Sequence, residues 1–178
     1  ASLLLLFNWM SPAFPIGSFA YSHGLEQAIA DGRLRSVDTV EAWIADLLRH
    51  GSGWNDALLF ALCWHEDVDD LNHMALALAG SAERFLETTH LGRNFNLAAA
   101  VWTGAMPTDG QVAYPVAAGH ACQSMGISQG PALLAFLQAY CAALVSAAVR
   151  LVPLGQTGGL IVLRNLAPII AHTAESAI

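Results

Sequence analysis

Lysine is absent from this 178-residue chain, all seven of its basic residues being arginine. Without lysine there is no Walker-type cation to reach β- and γ-phosphates, and "GQTGG" at 155–159 has neither the GxxxxGK[ST] frame nor a strand before it. The chain is therefore no P-loop nucleotidase by itself, and the lysine Schiff bases of pyridoxal and aldolase chemistry are excluded too. Charge of either sign is scarce, at 12% of residues against ~25% in an ordinary soluble domain. Scattered arginines and a pI near 5.3 argue against basic-patch binding of nucleic acid. Cys63, Cys122 and Cys141 are odd in number and without CxxC spacing, which signals neither a disulfide framework nor a zinc site. They are expected as small buried hydrophobes. There is no GxSxG nucleophile elbow, and no run alternates with period two between hairpin turns.

What is present is apolar and helical. Hydrophobic residues make up 55% of the chain, with a mean hydropathy of +0.48, in a length that suits one domain. The scarce charge is also uneven: residues 1–109 carry a net −8 and residues 110–178 a net +1. The carboxy-terminal third has little to show to water. Its longest run, "ALLAFLQAYCAALVSAAV" at 132–149, just reaches membrane-span length. Gln138, Ser146, seven alanines and the lack of a Lys/Arg asymmetry or an aromatic belt at the flanks favour a central bundle helix buried all round. Such a helix leaves apolar surface elsewhere for another subunit or protein. "ASLLLLFNWM" has no basic n-region and no small-residue cleavage site, so a cytoplasmic location is the expectation.

Val40, Trp43, Ile44, Leu47 and Leu48 follow the i, i+3, i+4, i+7, i+8 stripe of an amphipathic helix, with Asp38 and Glu41 as its expected capping box. Further helices are expected at about 54–65, 69–80, 82–103, 114–125, 131–150 and 159–172. Pro131 suits a first helical turn with Ser128 or Gly130 as cap, and "GAMPTDG" (104–110) and "SMGISQG" (124–130) are turns. The fold class is all-α, a single-domain helical bundle over residues 1–178.

Two readings compete for "HEDVD" at 65–69. On one continuous helix His65, Asp69 and His73 share a face, as a metal-dependent hydrolase or cofactor-binding bundle requires. Alternatively the acidic run is an inter-helix turn that caps the following helix and offers negative charge to its N-terminus. His23, His50, His90, His120 and His172 are dispersed, which suits hydrogen-bonded packing residues.

The most constrained stretch is "SPAFPIGSFAYSHGLE", residues 11–26. Pro12 and Pro15 fix φ and disfavour helix before them, Gly17 permits a tight bend, and Phe14, Ile16, Phe19 and Tyr21 are placed to pin the loop to a bundle. Ser22 is the expected cap of a short helix with Glu26 in its first turn. A rigid loop mounted on helices is where function tends to sit.

This stretch resembles the amino-terminal motif of the urease accessory protein UreF family, P-x-x-P-I-G-G-F-x-Y-S-H-G-L-E. "LLRHGSGWNDALLF" (47–60), "FLETTHLGRNF" (85–95), "YPVAAG" (114–119) and "RLVPLGQTGG" (150–159) resemble its later blocks in the same order. Ser18 stands where the family has its second glycine, and Gly158 and Leu160 where an acid and an amide are usual. The resemblance implies an all-α, dimerising, non-enzymatic adaptor that bridges UreD (also UreH) to the GTPase UreG. That assembly docks on apo-urease and delivers nickel, with no cofactor held stably by the adaptor, no nucleic acid and no membrane. It implies partner contacts at Tyr21, Ser22, His23, Glu26, Arg150, Gln156 and Thr157, the apolar carboxy-terminal third serving UreD contact and self-association. An arginine acting in trans on the GTPase would be Arg93 or Arg150.

Overall fold

The computed structural model describes residues 2–105 and 110–178. All regular structure among them is helical. The elements are α1 (Ser2–Trp9), α2 (Leu25–Ala30), α3 (Val37–His50), α4 (Ser52–Leu62), α5 (Val68–Ala77), α6 (Ala82–Thr103), α7 (Tyr114–Ser124), α8 (Gln129–Leu151) and α9 (Gly155–Ala177). A 3₁₀ turn, Ser18–Ala20, interrupts the loop between α1 and α2. α8 and α9 form a long hairpin, α3 lies along α9, and α7 lies along α6. α4 runs between these layers, touching α3, α5, α7, α8 and α9.

The expected stripe of α3 is present: Val40, Ile44 and Leu48 are fully buried, with Trp43 and Leu47 packed half-buried at its edges. Its capping box is formed by other residues than expected. Ser36 Oγ accepts from the Thr39 amide and Thr39 Oγ1 accepts from the Ser36 amide, which satisfies two orphan donors reciprocally. Glu41 instead accepts a 2.8 Å bond from Asn165 on α9 and so ties the two helices together. Ser22 does not cap α2 with its side chain either. Gly24, with φ 77°, is the N-cap, and Ser22 contributes its carbonyl to the Leu25 amide.

The acidic run behaves as an inter-helix turn. Asp67 caps α5 by accepting from the Asp69 and Asp70 amides, whose own carboxylates sit in the first turn. His65 lies in that turn and only Asp69 and His73 are on the helix, so the continuous helix needed for a metal site is absent.

α1 was not foreshadowed by any period; it buries Leu6 and Trp9 and leaves Leu3, Leu4 and Phe7 exposed. α9 begins four residues before its expected start and runs through Pro168 to Ala177. The proline is tolerated because it is exposed, so the carbonyl it leaves unbonded faces water. α8 passes the length and composition test for a membrane span, yet half of that window is buried within the bundle. It is not buried all round, however. Pro131, Leu134, Gln138, Ser146 and Arg150 keep a narrow exposed strip. Cys63, Cys122 and Cys141 are all buried and free, and burial pushes each thiol up to about 12.

Gly92 on α6 lets neighbouring backbone approach closely. A Cβ there would land on the Val112 carbonyl oxygen, in the backbone segment leading into α7. Gly92→Ala is expected to lower unfolding stability by about 1–3 kcal/mol in urea titration, because backbone must move to admit it. Gly80→Ala, whose Cβ would meet nothing within 4 Å, is expected to stay within about 0.5 kcal/mol of wild type.

Candidate functional site

The loop of residues 11–24 is built as its sequence suggests and fastened more firmly. Phe14 and Ile16 are buried, and Gly17 makes its bend at φ 84°. The Phe19 side chain lies outside the described residues. His23 takes φ 49°, left-handed backbone that non-glycine residues seldom adopt. That conformation turns its ring into the bundle. The imidazole side chain is about 10% exposed and meets Glu87 of α6, Nε2 to Oε1 at 3.0 Å. Oε1 has no well-aligned donor, so the approach there is a close polar contact more than a directed hydrogen bond.

Glu87 belongs to a larger cluster. Arg84, one turn earlier on α6, places Nη1 3.1 Å from Glu87 Oε2 and Nη2 2.6 Å from Asp56 Oδ2 on α4. On its other side His23 Nδ1 stands 3.0 Å from Ser52 Oγ, itself 3.1 Å from the Tyr140 hydroxyl on α8. α4, α6, α8 and the loop therefore meet on one polar chain. Burial raises Asp56 from its ordinary value, with Arg84 opposing. Burial would also raise Glu87, but His23 and Arg84 together outweigh it and hold that carboxyl below its ordinary value. Burial works against the Arg84 cation, yet the two carboxylates hold it above its ordinary value. Burial likewise pushes Tyr140 and Tyr114 upward, which keeps both phenols neutral.

Beside this cluster is a cavity of about 160 Å³ under the loop, walled by Trp9, Ile16, Leu91, Phe136 and Ala143. Asp56 and Arg84 line it and also line a second cavity of about 230 Å³ toward Ser52 and Thr88. Chemically the cluster matches charge with charge and holds the loop. Among the described residues no group of three His, Cys, Asp or Glu side chains could hold a metal ion. His65, Asp69 and His73 are separately exposed, which corrects the metal-bundle alternative.

The other sequence-predicted residues divide into two sets. Tyr21, His23 and Arg150 come together on the first cavity. Tyr21 is half-buried and bonded to His90 at 3.1 Å, and Arg150 is exposed with only Ser146 beside it at 3.3 Å. Ser22 is half-buried, and Glu26, Gln156 and Thr157 are exposed away from the cavity. Gly158 is buried, where a Cβ would press on Leu154 at 3.1 Å, while Leu160 is 67% exposed. Arg93 is exposed. Asp56, Arg84, Glu87, Ser52 and Tyr140 were missed. A signal existed: Asp56 is the single charge in the apolar run 54–64, and Arg84 and Glu87 stand one helical turn apart.

A family model described as UreF matches residues 34–167, starting after the loop. The chain is 45% identical over 178 residues to the urease accessory protein UreF of Roseobacter denitrificans, covering 98% of this chain and 79% of that protein. It is 43% identical over 185 residues to urease accessory protein UreF 1 of Brucella canis, covering 99% and 80%. The corresponding protein of Brucella anthropi is 42% identical over 182 residues, covering 97% and 79%.

Two outcomes test the cluster. Arg84→Ala strands two buried carboxylates and is expected to cost about 3–5 kcal/mol in chemical denaturation, whereas Arg84→Met with Asp56→Asn recovers most of that loss. Glu87 titrates lower in the folded chain than its ordinary 4.5, so its ionised form adds stability above that pH and the addition fades as pH falls through the folded value. The stability gap between wild type and Glu87→Gln is therefore expected to be full at neutral pH and to close in acid.

Proposed function

The chain belongs to the UreF family of urease accessory proteins, and on that premise we propose that it is a non-enzymatic adaptor joining UreD (UreH) to the GTPase UreG. In this reading the assembly docks on apo-urease in the cytoplasm and delivers nickel, which is cargo of the complex rather than a resident of this chain. The observation that carries it is the stiffly held loop: its reactive groups are spent on the bundle, and it presents Glu26 to solvent just beyond. Exposed carboxylate on a rigid mount suits protein recognition, because little order is lost on binding.

A second exposed set stands at the α8–α9 corner: Arg150, Gln156 and Thr157, with Leu151 and Leu160 beside them in sequence. Leu3, Leu4 and Phe7 on α1 and Val101 and Trp102 on α6 add large exposed apolar side chains. Such surfaces support a contact with UreD and with a second copy of the chain. To govern the GTPase, the adaptor must bind one nucleotide state more tightly than the other.

Capture of UreG by the complete set of accessory proteins tests the reading. Glu26→Ala is expected to weaken capture by about 5- to 30-fold, the effect of losing a significant interface contact, with stability within about 0.5 kcal/mol of wild type. Capture at wild-type affinity overturns the placement of the contact. An activating arginine is a separate matter. Arg84 is unavailable, being bound to Asp56 and Glu87, while Arg93 and Arg150 are exposed, as are Arg33, Arg35, Arg49 and Arg164. A finger in trans accelerates hydrolysis by orders of magnitude, so UreG turnover unchanged by Arg93→Ala and by Arg150→Ala excludes activation through either.

A further inference from the structure

The loop has a second fastening, whose hydrogen-bond chemistry allows only one protonation state. Glu87, His90 and Asn94 follow one another along the loop-facing side of α6. Asn94 Nδ2 lies 3.0 Å from the Ile16 carbonyl oxygen and 3.3 Å from His90 Nε2, and His90 Nδ1 lies 3.1 Å from the Tyr21 hydroxyl. An asparagine amide nitrogen has two N–H donors, so it serves both neighbours at once. Turning the amide over would set its oxygen against the Ile16 carbonyl, acceptor to acceptor. The carbonyl therefore fixes the amide, and the amide requires His90 Nε2 to be an acceptor. The ring proton must then sit on Nδ1 and be donated to Tyr21.

We infer that His90 and Asn94 are positioning residues that hold the 16–21 loop only while His90 is neutral, in its Nδ1–H tautomer, so that mild acid releases the loop from α6. A second proton on His90 would place N–H against N–H at Asn94. The titratable groups near it are Tyr21 from the loop and, one turn away on α6, Glu87 and Arg93; Glu87 is committed to His23 and Arg84, and Arg93 is exposed. His90 is exposed, so on protonation it has water to turn to. His23 is held separately, by Glu87 at 3.0 Å and Ser52 at 3.0 Å, and shares no partner with His90. A second proton on His90 thus loosens the Ile16–Tyr21 end of the loop, the end that Asn94 and His90 hold. Only the consequence for docking rests on the function proposed above.

Two measurements on the whole chain test this. Long-range nitrogen-15 NMR of the histidines at neutral pH is expected to show His90 protonated on Nδ1, opposite to the form that prevails in water; a proton on Nε2 overturns the inference. Hydrogen exchange of the Ala20 and Tyr21 amides, which bond to Gly17 and Ser18 within the loop, is compared at about pH 7.5 and about pH 5.5 after correction for intrinsic rates. Wild type is expected to gain about 2- to 10-fold over His90→Gln on acidification, the range for one hydrogen bond lost. An equal response in both proteins overturns it. If both results hold while UreG capture is the same at the two pH values, the acid-released fastening stands and the placement of the docking surface on this loop falls.

Discussion

Arg84 is held between two carboxylates from different helices, Asp56 on α4 and Glu87 on α6. Desolvating three charges is costly, and the cost is offset only where geometry is good and remaining donors and acceptors are filled. Here Ser52, Tyr140 and His23 extend the chain of contacts to α8 and to the loop. The loop is thereby part of the solution to a burial problem in the bundle. His23 must adopt a left-handed backbone conformation to complete it, and strain of that kind persists only where surroundings over-determine it.

This explains how a loop rich in proline and glycine is both irregular and stiff. Its apolar residues Phe14 and Ile16 are sunk into the core, while α6 reaches it with Glu87, His90 and Asn94 at successive turns. One helix face thus serves as a polar rail. The opposite economy applies at the surface, where α1 and the end of α6 leave large apolar side chains in water. Internal carboxylates tied to a shared cation and external apolar area left uncovered are together the profile of a part of an assembly.

Helical class, the α3 stripe, the acidic turn before α5 and the buried cysteines were legible because each rests on local rules: a period of 3.6, capping chemistry and side-chain size. Boundaries were less so. Ser36 and Thr39 took the cap assigned to Asp38 and Glu41 because the helix starts at Val37, which leaves Asp38 inside the first turn, while Glu41 bonds Asn165, a residue 124 positions away. α9 outran its expected limits at both ends, where Gly158 near its start and Thr173 and Ala174 near its end are buried against the bundle.

The loop motif was also visible, and with it the family, since ordered blocks of residues carry that information without coordinates. Sequence by itself determined that the chain is all-helical, poor in charge and bent by proline at residues 12–15. Tertiary structure alone decided that His23 faces inward, that Arg84 is the shared cation and that Asn94 dictates the proton on His90. The reason is physical: a period along one chain says which side of a helix is buried, whereas a hydrogen bond or an ion pair depends on what another segment, 28 or 78 residues away, brings within 3 Å.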